Sequence, residues 1–149
     1  MANVKKFLLT DDDQDDRELF SEALASIDPD IVCLGAEHGR DALRLLTNQD
    51  SNKPDIIFLD INMPVMNGWE LLNTLKKDDT CNNIPVIIYT TSSEDRDRKI
   101  ARDLGALCFV TKPDDFNVVK DILKVVIRNM NSNSMSTICR DIQTVLAAS

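Results

Sequence analysis

The chain has 149 residues, 43% of them hydrophobic, with 17 Lys and Arg against 25 Asp and Glu and a net charge of -8. That length and apolar content support one ordinary globular domain with a buried core. The acidic balance repels nucleic acid and anionic lipid and favours cations and basic partners; no stretch approaches the ~20 apolar residues of a membrane helix, and Met1 to Lys6 lacks a signal-peptide core.

The first apolar run, Phe7 to Leu9, ends in Thr10-Asp11-Asp12-Asp13. Leu19, Phe20, Ala23, Leu24 and Ile27 then follow helical spacing, with Asp13 placed to cap that helix or stay solvated. Ile31 to Leu34 reads as a second strand and ends without charge in Gly35-Ala36, and His38, the lone histidine, reads as a surface residue beside Gly39. Ile56 to Leu59 is apolar on both faces, as a covered parallel strand requires, and ends in Asp60. The turn after it is non-helical at Met63, the residue before Pro64. Leu71, Leu72 and Leu75 mark the next helix, with Met66 and Trp69 as packing residues.

The fourth run, Val86 to Tyr89, ends in Thr90-Thr91. In the charged helix that follows, Glu94 to Leu104, only Ile100, Ala101 and Leu104 can anchor, which predicts a loosely held element. Leu107 to Val110 ends in Thr111-Lys112. Val118, Val119, Ile122, Leu123 and Val126 form the stripe of the last main helix, and Val125 and Ile127 beside it point to a self-association surface. Asn129 to Ser134 reads as a polar linker. Met135, Ile138, Ile142, Val145 and Leu146 then form a short apolar stripe that either packs as a helix or frays. The alternation of runs and stripes predicts an α/β fold with a parallel sheet. Cys33, Cys81, Cys108 and Cys139 show no C-x-x-C pair and read as reduced packing residues, which places the chain in the cytoplasm.

Ligands in open parallel sheets bind beyond the carboxyl ends of the strands, where Asp11, Asp12, Asp60, Thr90 and Lys112 stand. Two carboxylates ~4 Å apart repel by about 4 kcal/mol at an effective dielectric of ~20, so the cluster needs a counter-charge. Oxygen-only donors favour Mg²⁺ over zinc or copper. Lys112 supplies a point charge for a phosphoryl oxygen and Thr90 a hydroxyl, which leaves Asp60 as a nucleophile able to form an acyl phosphate.

In this order, Asp11 with Asp12, Asp60, the loop Asn62-Met63-Pro64 with Gly68, Thr90, and Lys112-Pro113 resemble the signatures of the receiver domain of bacterial two-component response regulators, over residues 3–128. The resemblance implies a flavodoxin-like, doubly wound five-stranded sheet of order 2-1-3-4-5 with helices on both faces. It implies Asp60 as phosphoacceptor and Mg²⁺ held by Asp12, Asp60 and the backbone carbonyl of Asn62, with Asp11 acting through water. Thr90 and Phe109 become the switch pair, and the bond before Pro113 is expected to be cis. Many relatives carry tyrosine where this chain has Phe109, so an output contact through a phenolic hydroxyl is not available.

The resemblance further implies a sensor histidine kinase or histidine phosphotransfer protein as phosphodonor and a downstream protein target, with no direct nucleic-acid or membrane partner. With no length left for an output domain, the expectation is a stand-alone regulator that is not an enzyme beyond its own phosphorylation chemistry. Residues 129–149 are the linker and possible helix. Two other classes stay open: an interaction module that keeps these residues without being phosphorylated, and a phosphohydrolase of the haloacid dehalogenase type. The latter needs a second acid two residues after its nucleophile, where this chain has Asn62. A flavin carrier is disfavoured, because no Ser/Thr/Gly-rich loop follows the first strand.

Overall fold

The computed structural model describes residues 5–47, 53–63 and 66–149; Asn3, Val4 and Pro64 of the expected receiver segment lie outside the described residues. Strands and helices alternate as β1 (Lys6–Thr10), α1 (Gln14–Ile27), β2 (Val32–Ala36), α2 (Gly39–Thr47), β3 (Ile56–Leu59), α3 (Gly68–Lys77), β4 (Val86–Thr90), α4 (Asp95–Asp103), β5 (Cys108–Thr111) and α5 (Phe116–Asn131). A 3-10 turn, Met135–Thr137, leads into α6 (Ile138–Ala148). All strands are parallel in the order β2-β1-β3-β4-β5, which puts the uncharged end of β2 at an edge as expected.

Strand side chains alternate between two apolar layers. Phe7, Leu9, Phe58, Tyr89 and Val110 pack with Phe20 and Leu24 of α1 and with Val119, Ile122 and Val126 of α5. Leu8, Ile57, Leu59, Ile88 and Phe109 pack with residues of α2, α3 and α4 on the other face. Both layers are needed, because β1, β3 and β4 have no solvent-facing side. Helix starts are set by short polar side chains: Asp13 accepts from the Asp16 amide, Asn67 from Glu70 and Asp115 from Asn117. Gly68 is required by close approach, since a Cβ there would lie 2.5 Å from the Asp60 carbonyl oxygen.

The C-terminal residues depart from the expected linker. Helix α5 continues through Asn129 and ends where Asn133 takes φ 55, with the Ser134 amide donating to the Asn129 carbonyl. Asn129 is buried: its amide donates to the Val125 carbonyl and Asp141, and its oxygen accepts from Ser134 and Thr137. Helix α6 folds back onto α5 and β5, burying Ile138 and Ile142 in the same cluster as Val125. Val125 is therefore 4% exposed and covered by the chain itself, while Ile127 beside it stays half-buried.

A second departure concerns the cysteines. Cys108 and Cys139 form a disulfide, while Cys33 and Cys81 remain thiols. No local spacing announces the pair, because it exists only once α6 has folded across β5. Reduction is expected to lower stability by about 3.7 kcal/mol, the effect of opening a loop with a sequence separation of 31. Urea unfolding with and without a thiol reductant measures this; coincident curves would show that the cross-link contributes nothing. Among the described residues, no helix is long and apolar enough to cross a membrane.

Candidate functional site

Asp11, Asp60 and Lys112 each sit one step past a strand, held there by an extra ladder bond. The Asp11 amide donates to the Ala36 carbonyl at 2.9 Å, Asp60 to Thr10 at 2.9 Å and Lys112 to Thr90 at 2.7 Å. These bonds pin the backbone where three strands end, so the side chains converge. Carboxylate oxygens of Asp11, Asp12 and Asp60 lie within 4.8 Å of one another. Asp11 and Asp60 are buried and Asp12 is exposed. Such a set of hard oxygen donors suits a divalent cation.

The Lys112 ammonium enters from β5 and touches Asp11 at 2.6 Å, Asp16 at 2.8 Å and Asp60 at 3.3 Å. Burial alone would lower its pKa, but the hydrogen bonds to Asp11 and Asp16 and the charge of Asp60 more than offset this, and the ammonium stays protonated. Burial also raises the Asp11 carboxyl to about 6, against the downward pull of Lys112 and the Asp13 amide. Asp60 Oδ1 accepts from the Asn62 amide at 3.1 Å, leaving Oδ2 toward Lys112.

Thr90 is fully buried, and its hydroxyl accepts from the Ser92 amide at 3.4 Å. The loop after it is tied to its neighbours: Thr111 donates to the Ser92 carbonyl, and Ser92 donates to Asp97 of α4. Phe109 is 8% exposed, with the Arg98 guanidinium 4.9 Å from its ring centroid. Of the α4 side chains only Ala101 is buried, in keeping with the loose anchoring expected of this helix.

One expectation fails outright: no peptide bond among the described residues is cis, and the bond before Pro113 is trans. With that trans bond Lys112 already reaches all three carboxylates, so nothing in the pocket overrides the ordinary trans preference of about 0.5–1 kcal/mol. Two residues that the strand-end pattern did not include also belong here. Asp16 reaches Lys112 from the first turn of α1, and Arg17 donates to the Asp11 carbonyl at 2.7 Å. Their signal was the capped helix start: Asp13 at the cap puts Asp16 in the first turn, beside the acidic pair.

The Asp11 shift has a pH consequence in metal-free protein. Its carboxyl holds a proton more tightly folded than unfolded, so its contribution to stability declines as pH rises from 3.8 toward about 6 and is level above that. The change is on the order of 3 kcal/mol. Unfolding with chelator across that window should show wild type losing stability relative to Asp11→Asn; parallel profiles would contradict the shift.

A family model described as the response regulator receiver domain matches residues 7–124. Response regulator Rcp1 of Synechocystis sp. is 32% identical over 128 residues, which cover 82% of this chain and 84% of that protein. The crystal structure of the phosphorylated cyanobacterial phytochrome response regulator RcpA matches with a TM-score of 0.80 at 30% identity, covering 88% of this chain and 96% of that one. The Mn²⁺-bound form of response regulator Rcp1 gives a TM-score of 0.73 at 30% identity, covering 79% and 91%.

Proposed function

Because this chain belongs to the response regulator receiver family, we propose that it accepts a phosphoryl group on Asp60 and uses the modified state to change a protein-binding face. The observation that carries the reading is the convergence of the Asp11, Asp12 and Asp60 carboxylates with the Lys112 ammonium at the ends of β1, β3 and β5. The oxygen-only donor set supports Mg²⁺, held by Asp12, Asp60 and the Asn62 carbonyl, with Asp11 acting through water. When bound, that cation neutralises carboxylate charge and eases the approach of an anionic donor.

In the reaction, an Asp60 oxygen attacks phosphorus, the bond from phosphorus to the donor's leaving atom breaks, and the leaving group departs. Lys112 donates to one phosphoryl oxygen and the Thr90 hydroxyl to another. Turning toward the phosphoryl group takes Thr90 away from the Ser92 amide. That loosens the Thr111–Ser92–Asp97 chain into α4, a helix with a single buried anchor. Phe109 beneath Arg98 senses the same movement by packing alone.

The donor in this reading is a phosphohistidine on a sensor kinase or phosphotransfer protein, and the output is a protein contact rather than turnover of an external substrate. Asn62, at the position where a haloacid dehalogenase-type hydrolase needs an acid, supports that choice. The chain acts in the cytoplasm beside its kinase. Intact mass after acetyl phosphate and Mg²⁺ tests the proposal. One added phosphoryl group, absent with chelator, is expected, and an unchanged mass would overturn it.

A further inference from the structure

We propose that Asp16 is a positioning residue that draws Lys112 toward α1 and restrains phosphoryl uptake; this rests on Asp60 being the acceptor. The ammonium has three N–H donors and three carboxylate neighbours, with the two shorter contacts on Asp11 and Asp16 and the longest, 3.3 Å, on Asp60. On the α1 side the Tyr89 ring centroid also lies 5.8 Å from the ammonium. Lys112 is thus held most weakly by the carboxylate that is to be modified.

Asp16 differs from the other two partners in what it costs to release. Asp11 is fully buried and Asp60 nearly so, and either would be left as a buried, unpaired charge without Lys112. The Asp16 side chain is 36% exposed and water can solvate it on release. Its backbone stays fixed meanwhile, because Asp13 accepts from the Asp16 amide at 3.2 Å and Arg17 anchors the same turn to the Asp11 carbonyl. A phosphoryl oxygen therefore gains its Lys112 donor by displacing Asp16. The cluster of three carboxylates that suits a cation does not include Asp16, so its charge opposes an anionic donor without serving the metal.

Asp16→Asn keeps the shape and removes the charge. The acetyl phosphate concentration for half-maximal labelling is expected to fall about fivefold, the scale of one screened unit charge, with the maximal rate little changed. Raising the salt concentration should shrink the difference, and Asp16→Glu should return the wild-type value. A merely structural role would move the melting temperature of the variants without separating half-saturation from maximal rate. If wild type labels and Asp16→Asn labels identically or less readily, the inference fails while Asp60 stands as acceptor. If wild type takes no label, the acceptor assignment fails, and the Asp16 inference with it.

Discussion

Asp60→Asn is expected to take up no phosphoryl group from acetyl phosphate under Mg²⁺ conditions that add one to wild type, and to remain folded while failing. The amide that replaces the carboxylate has no anionic oxygen to attack phosphorus, and no other carboxylate is equally placed. Asp11 is fully buried, with its oxygens engaged by the Asp13 amide and Lys112, and Asp12 is exposed on the loop. Folding should survive because the substitution removes one of three mutually repelling charges and keeps the oxygen that accepts from the Asn62 amide. Stability without metal is therefore expected to rise by roughly 1 kcal/mol, and the gain on adding Mg²⁺ to shrink, since one donor has gone. Intact mass and urea unfolding of the same preparation measure both. A label that persists in the variant would move the acceptor elsewhere.

The carboxyl-end cluster was legible because strand ends are legible. Apolar runs stop at Leu9, Leu59, Tyr89 and Val110, and the side chains just beyond them converge in any parallel sheet. Asp16 was less so: it lies on a helix whose first turn reads as a solvated acidic start, and only the docking of α1 turns that residue inward. Asn129 shows the reverse failure. A run of Asn and Ser looks like a linker, yet a buried Asn whose amide and oxygen are both bonded can end one helix and hold the next. The Cys108–Cys139 bond and the covering of Val125 share one cause, the return of α6 onto α5 and β5, which an amphipathic stripe permits but does not direct. The trans bond before Pro113 corrects a feature carried over by resemblance alone; no residue in the chain argued for it.

Lys112→Met should be the most destabilising single change in the pocket, costing about 4 kcal/mol in chelator at neutral pH. The side chain is 8% exposed, and the methionine fills similar space, so packing is largely kept and the loss is electrostatic. Without the ammonium, Asp11 and Asp60 face each other with no cation between them, and Asp16 loses its only ion-pair partner among the described residues. The pocket has one way to relieve this: Asp11, already raised to about 6 by burial, takes a proton. Removing Lys112 also removes its downward pull on that carboxyl, so the penalty should shrink as pH falls toward about 6 and be level below it, where wild type takes up the same proton. Mg²⁺ should also restore part of the loss, because a cation that binds the folded pocket and not the unfolded chain stabilises by mass action. Combining Lys112→Met with Asp11→Asn should cost much less than the sum of the separate effects, the non-additivity that marks two halves of one buried pair. Urea unfolding of the four proteins in chelator and in Mg²⁺ settles the point: a Lys112→Met variant as stable as wild type without metal would mean that the three carboxylates do not depend on this cation.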